Sequence, residues 1–220
     1  MIVAIDGAAG CGKGTITKVV GEKLNLINID TGAMYRCVTL ECLRKGLTSE
    51  NINEIENVLE NIKISFKKEE DKQKVYLNGE DVSEAIRTVE IDNNVAKFAA
   101  LKVVRDKMTP LQRQMGKNSD IIMEGRDIGT VVFPDADVKI FLDCSIEERA
   151  RRRYKQNIEN GIEVTYEEVL EAIKERHRLE TERDIAPFVK AEDAVYINNT
   201  NMSLDEVVNE IINVIKGVNN

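Results

Sequence analysis

Short apolar runs rich in β-branched residues recur along the chain at residues 2–5, 120–123, 138–142 and 194–197, with a shorter fifth run at 26–29. Their length and composition predict buried strands. Most of the stretches between them carry helical patterns. The last stretch is the clearest, because Leu204, Val207, Val208, Ile211, Ile212 and Ile215 recur at steps of three and four and so line one face of a helix. Helix starts are also legible: Ser145-x-x-Glu148, Thr165-x-x-Glu168 and Ser203-x-x-Glu206 each read as a capping box, in which the hydroxyl and the carboxylate satisfy each other's backbone N–H. Strands that alternate with helices predict an α/β fold whose parallel sheet is covered on both faces.

Two regions break this rhythm. Residues 62–86 read as short strands around a charged turn and an Asn78-Gly79 turn, a small β-rich insertion where one crossover helix would suffice. Residues 147–161 read as a charged helix that runs out at Gly161, just before the next capping box. That segment suits a lid. It equally suits a solvated helix in which Glu147 pairs with Arg151 and Glu148 with Arg152.

Composition narrows the chemistry. With 42% hydrophobic and 32% charged residues in 220, the chain has the balance of a soluble globular protein, with one domain and excursions expected. The start MIVAID lacks the basic head and long apolar run of a signal peptide, and no stretch reaches membrane-spanning length, so a cytoplasmic location is expected. Cys11, Cys37, Cys42 and Cys144 form no C-x-x-C pair and His177 is the single histidine. This leaves too few ligands for a zinc site, predicts reduced and mostly buried thiols, and excludes a Ser-His or Cys-His machine. His177, in a strongly charged run, reads as a surface or supporting residue. A net charge of −8 opposes attraction to nucleic acid, so phosphate chemistry must rest on local arginine clusters.

The first strand runs directly into Gly7, Ala8, Ala9, Gly10, Cys11, Gly12, Lys13, Gly14 and Thr15, followed by a helical segment through Leu24. Strand, glycine-rich loop, lysine and helix start make a P-loop. Backbone N–H groups cradle phosphates, the helix N-terminus adds positive charge, Lys13 reaches the β- and γ-phosphates and Thr15 is the Mg²⁺ ligand. Gly14 separates Lys13 from Thr15, a variant that resembles adenylate-kinase-like nucleotide kinases. An Asn-Lys-x-Asp base reader of GTP switches is absent from the sequence.

The acceptor decides among the many users of a P-loop. A phosphate acceptor needs no base to take its proton, but its charge repels the incoming phosphoryl group, and arginines on several segments relieve that repulsion. The chain offers Arg36 in DTGAMYR, Arg126 in EGRDIGTVVFP, arginines at 149, 151, 152 and 153, and Arg176 and Arg183 in KERHRLETERDIAP. Asp30 and Glu124 to Asp127 follow predicted strands, where open α/β sheets bind ligands.

Six blocks in order, GAAGCGKGT, DTGAMYR, GEDVSEAIRT, EGRDIGTVVFPDADVKIFLD, EERARRR and IKERHRLETERDIAP, resemble bacterial cytidylate kinases across residues 5–188. The resemblance implies one P-loop kinase domain over 1–220. It has a five-stranded parallel core (1–30, 88–146, 166–220), a monophosphate-binding region (31–87) enlarged by the β-rich insertion, and a lid at about 147–165. It implies transfer of the γ-phosphoryl group of ATP to CMP or dCMP with Mg²⁺, in pyrimidine nucleotide metabolism, by a monomer that engages neither nucleic acid nor membrane. The alternatives are a kinase for UMP or AMP and a noncatalytic nucleotide sensor.

Carried over by position, the resemblance gives ATP to residues 7–15 and the acceptor phosphate to Arg36 and Arg126. It gives the cytosine edge to Arg105 and Asp127, the ribose region to Arg176 and Glu180, and a further nucleotide contact to Arg183. Thr31 belongs to the same substrate set. Arg149 and Arg153, with Lys13 and Arg126, act on the transferring group. The chain departs from the family pattern at Glu180, where Asp is expected, at Ala96, which lacks an expected serine hydroxyl, and at Thr31, which keeps one.

Overall fold

The computed structural model of the chain describes residues 1–69, 72–117 and 119–218. Every predicted core strand is present: β1 (Ile2–Gly7), β2 (Ile27–Asp30), β6 (Ile121–Gly125), β7 (Val138–Asp143) and β8 (Val195–Asn198). They form one parallel sheet in the order β2-β6-β1-β7-β8. The central strands read as continuous apolar runs because the sheet is flanked by helices: β6 is buried along its whole length and β1 nearly so. Ile16 and Val20 of α1 (Lys13–Leu24) and Val207, Val208, Ile211 and Ile215 of α8 (Leu204–Val218) pack with Val3, Ile5, Val138 and Ile140 of the sheet. Of the apolar stripe predicted at the C-terminus, α8 thus buries Val207, Val208, Ile211 and Ile215, with Ile212 partly buried, while Leu204 at its start is exposed.

The chain divides into two compact units, residues 1–30 with 113–220, and residues 31–112. The second unit therefore takes in α4 (Val89–Ala100) and most of α5 (Lys102–Met115), which the sequence reading had grouped with the core at 88–146. It also holds α2 (Thr31–Arg44), α3 (Ile52–Asn61) and a three-stranded antiparallel sheet, β3 (Ile64–Glu69), β4 (Lys72–Leu77) and β5 (Glu80–Asp81). This sheet is the expected insertion. Its Asn78-Gly79 turn has both residues at positive φ, 52° and 92°, as a tight hairpin requires. The charged turn expected at 70–71 lies outside the described residues.

Two of the three capping boxes close fully. Thr165 and Ser203 exchange hydrogen bonds with Glu168 and Glu206 at the starts of α7 (Tyr166–Thr181) and α8. Ser145 caps α6 (Ile146–Glu159) by accepting from the Glu148 N–H, but the Glu148 carboxylate binds Arg151 and Arg152 instead of returning to the cap. Arg151 accordingly pairs with Glu148 and not with Glu147, because one well-placed carboxylate serves both guanidiniums. Helices α6 and α7 pack on each other through Ala150, Val169 and Ile173. None of the four cysteines forms a disulfide, and all four are buried. Among the described residues no helix is long and apolar enough to cross a membrane.

Candidate functional site

In the first unit, the loop between β1 and α1 begins at Gly7, where a Cβ would lie 2.4 Å from the Leu142 carbonyl oxygen, so the loop leaves the sheet hard against β7. It ends at Gly12, whose φ of 89° a side chain would disfavour, and which turns the chain into α1 without a side-chain cap. The N–H groups of the first turn thus stay available to an anion. Lys13 is buried and folds back over the loop: its ammonium donates to the Gly7 and Ala8 carbonyls at 2.6 and 2.9 Å and lies 3.6 Å from the Cys11 sulfur. Burial, and then the nearby Arg126 charge, lower its pKa.

Further cations reach the same loop from α6. Arg149, 3% exposed, donates to the Cys144 carbonyl at 3.1 Å and to the Ala9 carbonyl at 3.4 Å. Arg152 donates to the Cys11 carbonyl at 3.3 Å and to the Asn199 carbonyl at 3.1 Å, while Glu148 holds its Nε. The buried Asn199 amide, just past β8, donates to the same Cys11 carbonyl at 2.8 Å. Arg153, expected to act with Arg149, donates to the Gln156 side chain along α6. The loop contacts from α6 fall to Arg149 and Arg152.

At the C-terminal end of β6 a second cluster sits in the same unit. Glu180, 5% exposed on α7, accepts from Arg126 Nε at 2.7 Å and from Arg176 Nε at 2.9 Å. Burial alone would raise its pKa, but the two guanidiniums outweigh burial and hold the carboxyl well below the usual range. Arg183 donates to the Ala186 carbonyl at 2.7 Å and stands 3.9 Å from the buried Asp127 carboxylate. His177 is half-buried with its ring edge-on to Phe188 at 6.0 Å, and burial, then Arg149, lowers its pKa.

Glu124 and Asp30 are register partners on adjacent strands. Glu124 accepts a long hydrogen bond from Thr17 at 3.4 Å, and burial with the Asp30 charge pushes its pKa up to about 7. A Cβ on Gly14 would stand 3.3 Å from its carboxylate. Thr15 is exposed in the first turn of α1, Glu124 lies beside Gly14 of that turn and Asp30 is the register partner of Glu124, and such oxygen donors are the kind a hard cation takes. Among the described residues no cluster of three or more His, Cys, Asp or Glu exists, so a cation here would complete its shell with water and ligand oxygens.

In the second unit, the Arg36 guanidinium pairs with Asp92 of α4 at 2.5 Å and donates to the Ile86 carbonyl at 3.2 Å. Arg105 is not the surface arginine that a helical position ordinarily implies: it is 4% exposed, donates to the Ala99 carbonyl, and lies 5.5 Å over the Tyr35 ring. Thr31 opens α2 and is buried, and Ala96 is buried on α4. Of these surroundings, Asp92 and Asn199 were not singled out from the sequence, while Arg152 and Glu124 were named there only as members of a cluster and a strand end, without a role. Glu124 stood in a quoted motif, whereas Asp92 and Asn199 carry no motif signal.

The family model described as cytidylate kinase matches residues 3–217. A cytidylate kinase of Fusobacterium nucleatum subsp. nucleatum is 47% identical over 211 residues, covering 96% of this chain and 95% of that protein. One from Bacillus cereus is 44% identical over 216 residues, with coverage of 98% and 96%. Among solved structures, a shikimate kinase from Bacteroides thetaiotaomicron matches with a TM-score of 0.51 at 13% identity over 98% of both chains, a likeness of fold.

Proposed function

The chain belongs to the cytidylate kinase family and phosphorylates CMP or dCMP; we propose that the donor is Mg-ATP held by residues 7–15, and that its γ-phosphoryl group passes in line to an acceptor-phosphate oxygen. The observation that supports this reading best is the pairing, within one unit, of a lysine-bearing phosphate loop with an arginine pair balanced on a single buried carboxylate. Arginines suit an acceptor that is already anionic.

In this reading Lys13 exchanges the Gly7 and Ala8 carbonyls for the β- and γ-phosphates. That exchange trades neutral dipoles for anions and strengthens every contact it touches. Arg149 takes up charge that builds on the transferring group, and Arg153 joins it by rotating off Gln156. Thr15 would hold Mg²⁺, with Glu124 and Asp30 as further oxygen donors, and the ion supplies neutralisation of the charge shared between β- and γ-oxygens. Arg126 and Arg36 bind the acceptor phosphate. Asp127 and Arg105 read the cytosine edge, the carboxylate accepting from the exocyclic amine and the guanidinium donating to the ring carbonyl and nitrogen. Thr31, Arg176, Glu180 and Arg183 complete the substrate set. No covalent enzyme intermediate is required, because both reactants are held in place and the chemistry is direct displacement.

The test is ADP formation from Mg-ATP with CMP, dCMP, UMP, AMP and no acceptor, with Lys13→Ala as control. Turnover with CMP or dCMP well above UMP is expected. A preference for UMP or AMP would discard Arg105 and Asp127 as base readers, and silence with every acceptor would discard the catalytic reading.

A further inference from the structure

Asp6 ends the run of β1 just before the phosphate loop, 4% exposed, and its carboxylate is fully engaged by backbone. One oxygen accepts from the Ile128 N–H at 2.7 Å and the other from the Gly129 N–H at 2.8 Å. Those amides open a π-helical turn, Ile128–Val132, in which Asp127 occupies the cap position. The far end of the turn is tied as well: Arg113 donates to the Val131 and Val132 carbonyls at 2.7 and 2.8 Å.

An aspartate in a cap position ordinarily turns its own carboxylate onto the free amides that follow it, because those donors have no partner within the helix. Asp127 makes no such bond. Of the two amides that a cap side chain ordinarily binds, that of Gly129 is taken by the Asp6 carboxylate, as is the preceding Ile128 amide, and the Asp127 carboxylate stands 3.9 Å from Arg183. We infer that Asp6 is a positioning residue for cytosine recognition: by occupying the Ile128 and Gly129 amides it keeps the Asp127 carboxylate from capping its own turn and leaves it to the substrate. This rests on the assignment of Asp127 as a base reader.

The arrangement is costly in isolation, which argues that the contact has a use. Burial of Asp6 opposes its charge and the two amides only partly offset this, so its pKa is raised to about 6. The charged groups facing it are Asp127, which raises it further, and Lys13, which lowers it; Lys139, whose stem would touch a Cβ on Gly129, spends its ammonium on Asp193. In Asp6→Asn one acceptor becomes a donor pointing at an N–H. One amide is then released, and the Asp127 carboxylate can fall onto it.

The experiment compares kcat/KM for CMP and UMP in the wild type, Asp6→Asn, Asp127→Asn and the double variant. Asp6→Asn is expected to cut the CMP-over-UMP preference by about tenfold while the KM for ATP moves by less than about threefold. The double variant should lose no more preference than Asp127→Asn alone, because both changes act through one carboxylate. Additive losses, or an unchanged preference in Asp6→Asn, would overturn the inference as a merely structural pin. Unchanged preference in Asp127→Asn would instead remove Asp127 as reader, and this inference with it.

Should Asp6→Asn not fold, the wild type decides. CMP and UMP phosphates ionise alike, so their titration cancels in the ratio of the two kcat/KM values. That ratio should fall as pH drops through about 6, where Asp6 gains a proton and gives up an acceptor. A ratio that stays flat through that range overturns the inference.

Discussion

Two regions of the first unit hold their cations differently. Around the phosphate loop, Lys13 and Arg149 rest on neutral carbonyls of Gly7, Ala8, Ala9 and Cys144, and Arg152, whose Nε is held by Glu148, adds those of Cys11 and Asn199. At the end of β6, Arg126 and Arg176 share the Glu180 carboxylate. A carbonyl dipole yields readily to a phosphate, because the exchange replaces a neutral acceptor by a charged one. A carboxylate competes with the phosphate on equal terms, so the acceptor side keeps its charges balanced and its geometry fixed at some cost in affinity. In the proposed reading, the donor side gains charge on binding. The acceptor side stays aligned.

The sharpest way to break that contrast is Lys13→Ala. It removes the cation that trades two carbonyls for phosphate, and kcat should fall by on the order of 10³-fold or more, since transition-state charge on the transferring group loses its partner. Single-turnover transfer measured at saturating ATP and CMP checks this. A loss confined to the KM for ATP would mean that Lys13 only binds.

Arg126→Ala tests the other side. Transfer should drop by about 10² to 10³-fold, with ATP affinity nearly intact, if Arg126 binds the acceptor as proposed, since it makes no bond to the loop carbonyls. Equal kcat with and without the side chain would end its assigned role.

Glu180→Gln should show chiefly in stability. It leaves two adjacent half-buried guanidiniums without their buried carboxylate, and breaking such a pair on one side costs about 3 kcal/mol. In a chain of this size that lowers Tm by on the order of 10 °C. Because the folded carboxyl lies below its ordinary value, the stabilisation is present at neutral pH and fades only as pH falls below the unfolded Glu value of about 4.3. The variant should therefore have a flatter acid limb of Tm against pH. An unchanged limb would mean that the network carries no net charge energy.

The same contrast marks what the sequence could disclose. Strands, capping boxes, the phosphate loop and the β-rich insertion are local patterns, and each stands close to where the period or the motif put it. Ser145 kept its cap but lost its reciprocal carboxylate, because Glu148 found two arginines within reach. Partners across the fold were invisible: nothing in the spacing joins Glu180 to Arg126, Asp6 to Ile128, or Asn199 to Cys11. These contacts come from strand register and from where a helix crosses a loop, and such geometry has no fixed sequence interval. Arg152 is the same lesson on a smaller scale, since helix packing brings it to the Cys11 carbonyl.

Asn199→Ala is the smallest and most discriminating change. Its amide and Arg152 together hold the Cys11 carbonyl, one residue before the left-handed Gly12 that launches α1. Losing the amide removes one hydrogen bond, about 1 kcal/mol, and Arg152 keeps the carbonyl from being orphaned. If that energy serves to keep the loop in its phosphate-binding shape, it appears as about a fivefold rise in the KM for ATP, with the KM for CMP unchanged. Asn199→Asp should do worse than Ala, since it sets a carboxylate oxygen against the Cys11 carbonyl and an anion beside the phosphates. Should Asn199→Ala instead raise the KM for CMP as much as that for ATP, the two regions would be one mechanical body, and the division between a side that gains charge and a side that stays aligned would fall.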